Sequence, residues 1–421
     1  MRRTEMNIEE CSAFVLTAAK GLFVNGQSTE QTLSAAVRLA QALGLRTKLL
    51  ARWSEVALQV EGTHGALVRL EGAEPTGIDM DRVASVMLVI DKLTVGHLKP
   101  EEARAEIETV SHARPAQTWL FAIAAAAGAM ALSVIFGVHH FAAAALIAGS
   151  AGMGALLRRG LAHLSENVFL QPFCAALLAG VVGALAVRCQ LSSSLRLVAV
   201  CPCMILVPGS HLLNGGLDLI RSRIHLGASR ILFAVLVVVA IATGLLCGLA
   251  FLGANLPVEP AARSVPLWQD VIAAGVAVAA YSIFFSTPLR MLPWPVAVGA
   301  LAHALRWCAI AGLGFGQASG TFVACLTVGL ILTPVAHRWR IPFAAIGFAS
   351  VVSMMPGAYM FRTASGLAQM TAAAGAPAGL VSATLSDGVI AATVVVVMCL
   401  GLLVPKLVID GLSEHAARRT S

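Results

Sequence analysis

The sequence predicts a mainly α, polytopic helical membrane protein: ten spans arranged as an inverted 5+5 repeat, preceded by a small α/β cytoplasmic domain. Three observations carry this expectation. Of 421 residues, 58% are hydrophobic and only 12% charged, with a mean hydropathy of +0.82, whereas soluble domains average about 25% charged residues. The charge is also segregated, since residues 1–118 hold 13 of the 29 Lys+Arg and 15 of the 22 Asp+Glu. Finally, the remaining chain matches itself at an offset of 148 or 149 residues. Disordered, fibrous and disulfide-stapled chains lack this combination. The expected boundaries are a cytoplasmic domain over 1–117, a first membrane repeat over 118–252, an outside connection over 253–267, a second repeat over 268–405 and a cytoplasmic tail over 406–421.

In the first domain, helices are expected over 8–24 and 29–43. Ala36, Leu39, Ala40 and Leu43 recur at helical spacing, Ser28 or Thr29 caps the start and Gly44 stops the helix. Segments 46–51, 55–61 and 65–71 are short, rich in Val and Leu and separated by Gly62-Thr-His-Gly65, which predicts an antiparallel meander. Helices return over 80–95 and 100–113, the latter opening with Pro100-Glu-Glu. The N-terminus leads into an amphipathic stretch and not an apolar h-region, so this domain is expected to stay in the cytoplasm.

A helical span needs about 20 mostly apolar residues. Ten such runs lie near 118–137, 140–157, 168–187, 197–214, 230–252, 268–287, 293–312, 319–336, 341–361 and 378–405. With the N-terminus inside, Arg158, Arg159, Arg221, Arg223, Arg230, Arg290, Arg338, Arg340, Lys406, Arg418 and Arg419 fall on the cytoplasmic side. Arg188, Arg196, Arg263, Arg306 and Arg362 fall outside. That is the positive-inside bias, with both termini cytoplasmic and an inner (plasma) membrane location. It also accounts for the pI near 9.1 without nucleic acid, because the first 118 residues are net negative. Cysteines such as Cys174, Cys247, Cys325 and Cys399 sit in apolar runs as small hydrophobes. Cys201-Pro-Cys203 has no His or Cys cluster beside it, so no metal or cofactor is expected.

The repeat pairs Trp119 with Trp268, Arg158 with Arg306, Phe173–Gly180 with Phe322–Gly329, and Val207-Pro208-Gly209 with Met355-Pro356-Gly357. Five spans per repeat is odd, so the second copy enters the membrane from the opposite side. Secondary transporters commonly have this architecture, with a site at the repeat interface formed by broken helices. Each Pro-Gly removes a backbone donor and permits non-helical dihedrals, so Pro208-Gly209 and Pro356-Gly357 are expected to break the fourth and ninth spans. His211, Asn214 and Asp218 follow the first break on one helical face; Tyr359 and Arg362 follow the second. Arg362 has the geometry to hold a carboxylate bidentately. Asp387 lies within the last apolar run, where a carboxylate costs about 2.5–3.5 kcal/mol on insertion scales, which marks it as the expected proton carrier. His303, in the seventh run, is a candidate proton relay, while Gly149-Ser-Ala-Gly-Met-Gly154 reads as a packing seam.

Four stretches then resemble the threonine/serine exporter family. They are Leu22-Phe-Val-Asn-Gly-Gln-Ser-Thr-Glu30, Leu39-Ala-Gln-Ala-Leu-Gly44, Pro100-Glu-Glu-Ala103, and Val207-Pro-Gly-Ser-His-Leu-Leu-Asn-Gly-Gly-Leu-Asp-Leu219, which is similar to that family's P-G-x-x-L-x-N-G-x-x-D-L signature. Relatives carry an Arg and a Glu where this chain has Gln31 and Leu33. The resemblance implies export of small amino acids coupled to proton entry, with Asn25, Gly26, Thr29 and Glu30 as a motif of the cytoplasmic domain. Expected partners are a small amino acid, protons and the lipid bilayer; self-association is compatible with the sequence. The alternatives are dicarboxylate (succinate-like) export, an intramembrane enzyme and a passive channel. The sequence offers no H-E-x-x-H, no G-x-S-x-G and no visible nucleophile–base pair for the enzyme, and no continuous polar stripe for the channel.

Overall fold

The computed structural model describes residues 6–62, 65–113, 117–138, 140–189, 195–254, 256, 265–372 and 376–420. The expected turn residue His64, most of the expected 253–267 connection and Arg263 lie outside them. By internal contacts the chain divides into two compact units. One comprises Met1–Pro115, Asn214–Ile231 and Phe285–Pro288; the other comprises Ala116–Leu213, Leu232–Phe284 and Leu289–Ser421.

In the first unit, α1 (Ile8–Val24) and α2 (Thr29–Ala42) precede strands β1 (Thr47–Arg52), β2 (Ser54–Gly62) and β3 (Gly65–Ala73), followed by α3 (Met80–Thr94) and α4 (Pro100–Ser111). Helix α1 starts with a capping box: the Asn7 side chain accepts from the Glu10 N–H at 2.7 Å, and Glu10 accepts from the Asn7 N–H at 3.1 Å. Ser28 caps α2, and Gly44 ends it at φ +74°. The sheet is an antiparallel β1-β2-β3 meander with Leu49 opposite Leu58 and Val60 opposite Leu67. Alternation puts Val56, Leu58 and Val60 of β2 on the buried face, and α1, whose Phe14, Leu16 and Phe23 are buried, packs against that strand. Arg38 on α2 pairs with Asp91 on α3 at 2.7 Å. The expected elements of this domain are therefore present, with ends shifted by a residue or two.

The remaining helices are α5 (Thr118–Ile135), α6 (Phe141–Leu161), α7 (Leu170–Arg188), α8 (Leu195–Met204), α9 (Gly209–Ile220), α10 (Ile224–Ala250), α11 (Leu267–Phe284), α12 (Pro293–Trp307), α13 (Gln317–Trp339), α14 (Phe343–Val351), α15 (Gly357–Ala372) and α16 (Ala378–Thr420). A π-helical turn, Cys308–Gly312, extends α12, and a 3-10 turn, Val352–Met354, extends α14. Among the described residues, eight helices are long and apolar enough to cross a membrane, or up to ten if each of two bent pairs counts as one span. The bends fall at the two Pro-Gly sites: α8 to α9 turns by 55°, and the α14 limb to α15 by 53°.

Two expected boundaries move. The fifth run begins at Ile224, not 230, so Arg230 lies in the second turn of α10 and not in a loop. No helix end falls at 405, because α16 runs through Pro405 to Thr420 as one helix of 43 residues. The unit boundary itself falls inside α9 and α10, after Leu213 and Ile231.

Small residues let backbones touch within the second unit. A Cβ on Gly180 (α7) would lie under 3.0 Å from the Leu245 carbonyl of α10. On Gly244 it would meet the Phe173 carbonyl, and on Gly248 the Leu177 carbonyl, equally closely. The α13–α16 pair repeats this pattern: Gly329 abuts the backbone of Gly401 and Leu402, and Gly401 abuts Cys325 and the Phe322 carbonyl. Phe173 and Gly180 thus do for α7 what Phe322 and Gly329 do for α13, 149 residues on. Such seams use van der Waals contact where lipid offers no hydrophobic gain. Gly248→Val is expected to cost about 1–3 kcal/mol by overpacking, read as a lowered Tm in detergent. Gly160→Ala, at a position with nothing within 4 Å, should leave Tm within experimental scatter.

Candidate functional site

The two breaks meet inside the second unit. A Cβ on Gly209 would come to 3.1 Å from the Met355 side chain, and one on Gly357 to 3.1 Å from Val207. Each break thus packs closely against the residues preceding the other. Breaking a helix frees backbone donors and acceptors, and these are tolerated at membrane depth only where protein or a water-filled cavity covers them.

A cavity of about 410 Å³ opens beside the second break. Met354, Met355 and Pro356 of the break line it, together with Asp270 (α11), Arg306 (α12), Gln317 and Thr321 (α13), Ser353 and Tyr359. Its size falls within the range of about 300–1,000 Å³ typical of small-molecule sites. Both signs of charge face it. The Arg306 guanidinium donates from Nε to Thr321 Oγ1 at 3.2 Å and from Nη2 to Gln317 Oε1 at 2.6 Å, so the fork is held in a fixed plane. Asp270 is 6% exposed and lies 3.1 Å from His303 Nδ1. His303 is fully buried, and its Nε2 lies 2.9 Å from Ser353 Oγ. Acid, imidazole and hydroxyl therefore form one hydrogen-bonded line ending at the helix break.

The other expected residues fall into two further groups. Arg362 donates from Nη2 to Asp387 Oδ1 at 2.5 Å and stacks 5.4 Å from the Tyr359 ring centre. Neither Arg362 nor Asp387 lines the cavity; Tyr359 and Pro356 do. Asn214, Asp218, Gly26, Thr29 and Glu30 come together within the first unit, with Asn25 adjacent in the chain. Asn214 donates to the Gly26 carbonyl at 3.1 Å, and Thr29 donates to Asp218 Oδ2 at 2.9 Å. Asp218 also sits 3.4 Å from Arg230 and 3.5 Å from Arg223. Glu30 accepts from Arg223 at 2.7 Å and pairs with Arg221. His211 is buried, its ring 5.1 Å from that of Phe233.

Four polar residues at the cavity, Asp270, Gln317, Thr321 and Ser353, are not marked by any sequence signal used above. Asp270 was taken into the opening of the sixth run, although the argument applied to Asp387 applies equally to it. Ser353 is a lone hydroxyl between Val352 and Met354, with no motif around it. Arg306, expected at the outer end of the seventh run, lies in the last turn of α12 and follows His303 by three residues, on the same helical face. The absence of a nucleophile–base pair is also corrected. Asp270, His303 and Ser353 are 33 and 50 residues apart, a spacing that no short motif detects.

Broken helices thus meet beside a cavity that carries both charges, in a chain whose described residues include at least eight helices long and apolar enough to cross a membrane. The family described as "Putative threonine/serine exporter" matches residues 13–252, and that described as "Threonine/Serine exporter, ThrE" matches residues 270–408. The chain belongs to the threonine/serine exporter family. It is 24% identical over 299 residues to a protein of Mycobacterium tuberculosis (strain ATCC 25618 / H37Rv) described as "Probable threonine/serine exporter". That match covers 68% of this chain and 55% of the relative. No solved structure matches it.

Two measurements follow. Removing one member of a buried ion pair costs about 3–5 kcal/mol, whereas replacing both by apolar residues is often neutral. Asp387→Asn should therefore lower Tm strongly, and the double variant Asp387→Leu/Arg362→Met should recover most of the loss. At Glu30, burial pushes the carboxyl upward, but the Arg223 hydrogen bond and the charges of Arg221 and Arg223 outweigh it. The group titrates below its usual value of 4.5. A carboxyl depressed by folding stabilises above its ordinary value, and that contribution disappears as pH falls through the depressed one. Tm of the wild type should exceed that of Glu30→Gln at neutral pH, and the gap should close below about pH 4.5.

Proposed function

We propose that this protein exports small amino acids of the serine/threonine type across the membrane by alternating access, driven by proton entry. One observation carries the reading: Asp270 and Arg306 line a single cavity beside a broken helix. A free amino acid brings an ammonium and a carboxylate, and this cavity offers one partner for each. Arg306, already braced by Gln317 and Thr321, holds the carboxylate. Asp270 and the carbonyls of the break take the ammonium. The Ser353 and Tyr359 hydroxyls supply hydrogen-bonding partners for a substrate side-chain hydroxyl. Alternating access between two repeated halves is supported by the bends at Pro208-Gly209 and Pro356-Gly357, 148 residues apart, and by the close-packed Gly180 and Gly329, 149 apart. The family and its mycobacterial relative carry the same description.

Dicarboxylate export fits this cavity less well, because the second carboxylate would face Asp270. Like charges at close range disfavour such a complex by several kcal/mol. The Asp387–Arg362 pair, which needs no proton to be neutral, acts in this scheme as a brace between α15 and α16. The motif around Thr29, Glu30, Asn214 and Asp218 ties the cytoplasmic domain to the α9–α10 turn.

Exchange in proteoliposomes tests the proposal. Vesicles loaded with unlabelled L-threonine should take up labelled threonine and serine, and succinate should not compete. Arg306→Gln should reduce exchange by at least about tenfold, the loss expected for one charge-assisted contact. Exchange of succinate without threonine or serine would overturn the assignment.

A further inference from the structure

We infer that the Asp270–His303–Ser353 line is the proton-holding element of the cavity, and that a proton on it and the ammonium of a bound substrate exclude one another. The inference rests on the reading of the cavity as an amino-acid site. It assigns the coupling to named atoms within that site.

Both ring nitrogens of His303 are engaged, Nδ1 with Asp270 and Nε2 with Ser353. In the neutral imidazole one nitrogen donates and the other accepts. With Asp270 ionised, Nδ1–H donates to the carboxylate and Nε2 accepts the Ser353 hydroxyl proton. Adding a proton forms an N–H bond at Nε2, which then donates to Ser353 Oγ, and the Ser353 hydroxyl turns its own proton to another acceptor. No heavy atom has to move. The proton arrives and leaves through the cavity, because Ser353 is on its wall and His303 is fully buried behind it.

The surroundings give this proton electrical consequences. Asp270 faces His303 from α11, and Arg306 lies one turn further on α12 itself. Among the described residues, Cys325 of α13 and Tyr359 of α15 are the other ionisable groups near Arg306. Helix α14, also packed on α12, carries no ionisable side chain. Among the described residues that line the cavity, Asp270 is the one carboxylate, facing the positive charge of Arg306. When His303 is an imidazolium, Asp270 is neutralised and a substrate ammonium beside it meets a like charge. When His303 is neutral, Asp270 is available to the ammonium. One carboxylate shared between two exclusive cations is the requirement for exchanging substrate against protons.

Two measurements on the full-length protein test this. The first needs no variant: the Kd of wild-type protein for L-threonine, measured between pH 5 and 8. Competition predicts that affinity weakens toward acid, approaching about tenfold per pH unit once the line is protonated; a Kd independent of pH overturns the inference. The second compares His303→Gln with wild type in proteoliposomes. Glutamine keeps hydrogen-bonding groups but cannot take the proton. Threonine exchange without a pH gradient should persist within about threefold, while transport driven by a pH gradient should fall by more than about tenfold. Retained gradient-driven transport, or loss of exchange together with a pH-dependent Kd unchanged in the variant, overturns it. Should wild-type protein neither bind nor exchange threonine, the fault lies with the amino-acid reading and not with the proton assignment.

Discussion

A charge carried into an apolar helix has to be met by another group, and this constraint organises the protein. Asp270 meets His303, Asp387 meets Arg362, and Asp218 meets Arg230 and Arg223. The first two pairings join helices 33 and 25 residues apart in the chain, and the third closes the turn between α9 and α10. The pairings differ in what they leave over. Asp387 and Arg362 neutralise one another, and Asp218 sits among cations that also hold Glu30. Asp270 has for its nearest partner an imidazole, whose charge depends on a proton, and it faces a cavity. Of the three acids it is the one whose electrical state can change without breaking an ion pair.

The helix breaks make that site possible. A continuous helix would consume its own donors and acceptors and offer a ligand only side chains. At Pro356-Gly357 the chain turns by 53°, which brings Ser353 to the end of the His303 line and opens the cavity between α11, α12, α13 and α15. The frame around the break is held by different means. Where α7 meets α10 and α13 meets α16, glycines bring backbones into direct contact, a packing that tolerates little change in spacing. Rigid seams flanking interrupted helices suit a protein whose halves move as bodies about a central site.

Much of this was legible beforehand. Apolar run length located the membrane helices, and Pro-Gly located both breaks, because these signals are local. The meander was legible from Val and Leu runs separated by Gly62 and Gly65. The site was less legible for a physical reason. Asp387 drew attention as an acid surrounded by apolar residues, but its counter-ion, 25 residues away, is fixed by how α15 packs on α16. Asp270 sat near a helix start, where an acid is ordinary, and only the fold sets it against His303. Arg230 looked like a loop residue because the preceding His225 and Ser229 dilute the apolar run; in the structure α10 begins earlier and buries it to 2% exposure. Long-range pairing of charges is a property of the fold, and periodicity along the chain does not carry it.

The central claim is that one cavity receives the two charged ends of an amino acid. A cryo-EM structure of the protein in lipid nanodiscs with saturating L-threonine addresses it most directly. The account predicts density for the ligand beside the second break, its carboxylate on Arg306 and its ammonium within hydrogen-bond distance of Asp270. Ligand density elsewhere in the membrane helices, with Asp270 and Arg306 facing an empty cavity, would contradict it.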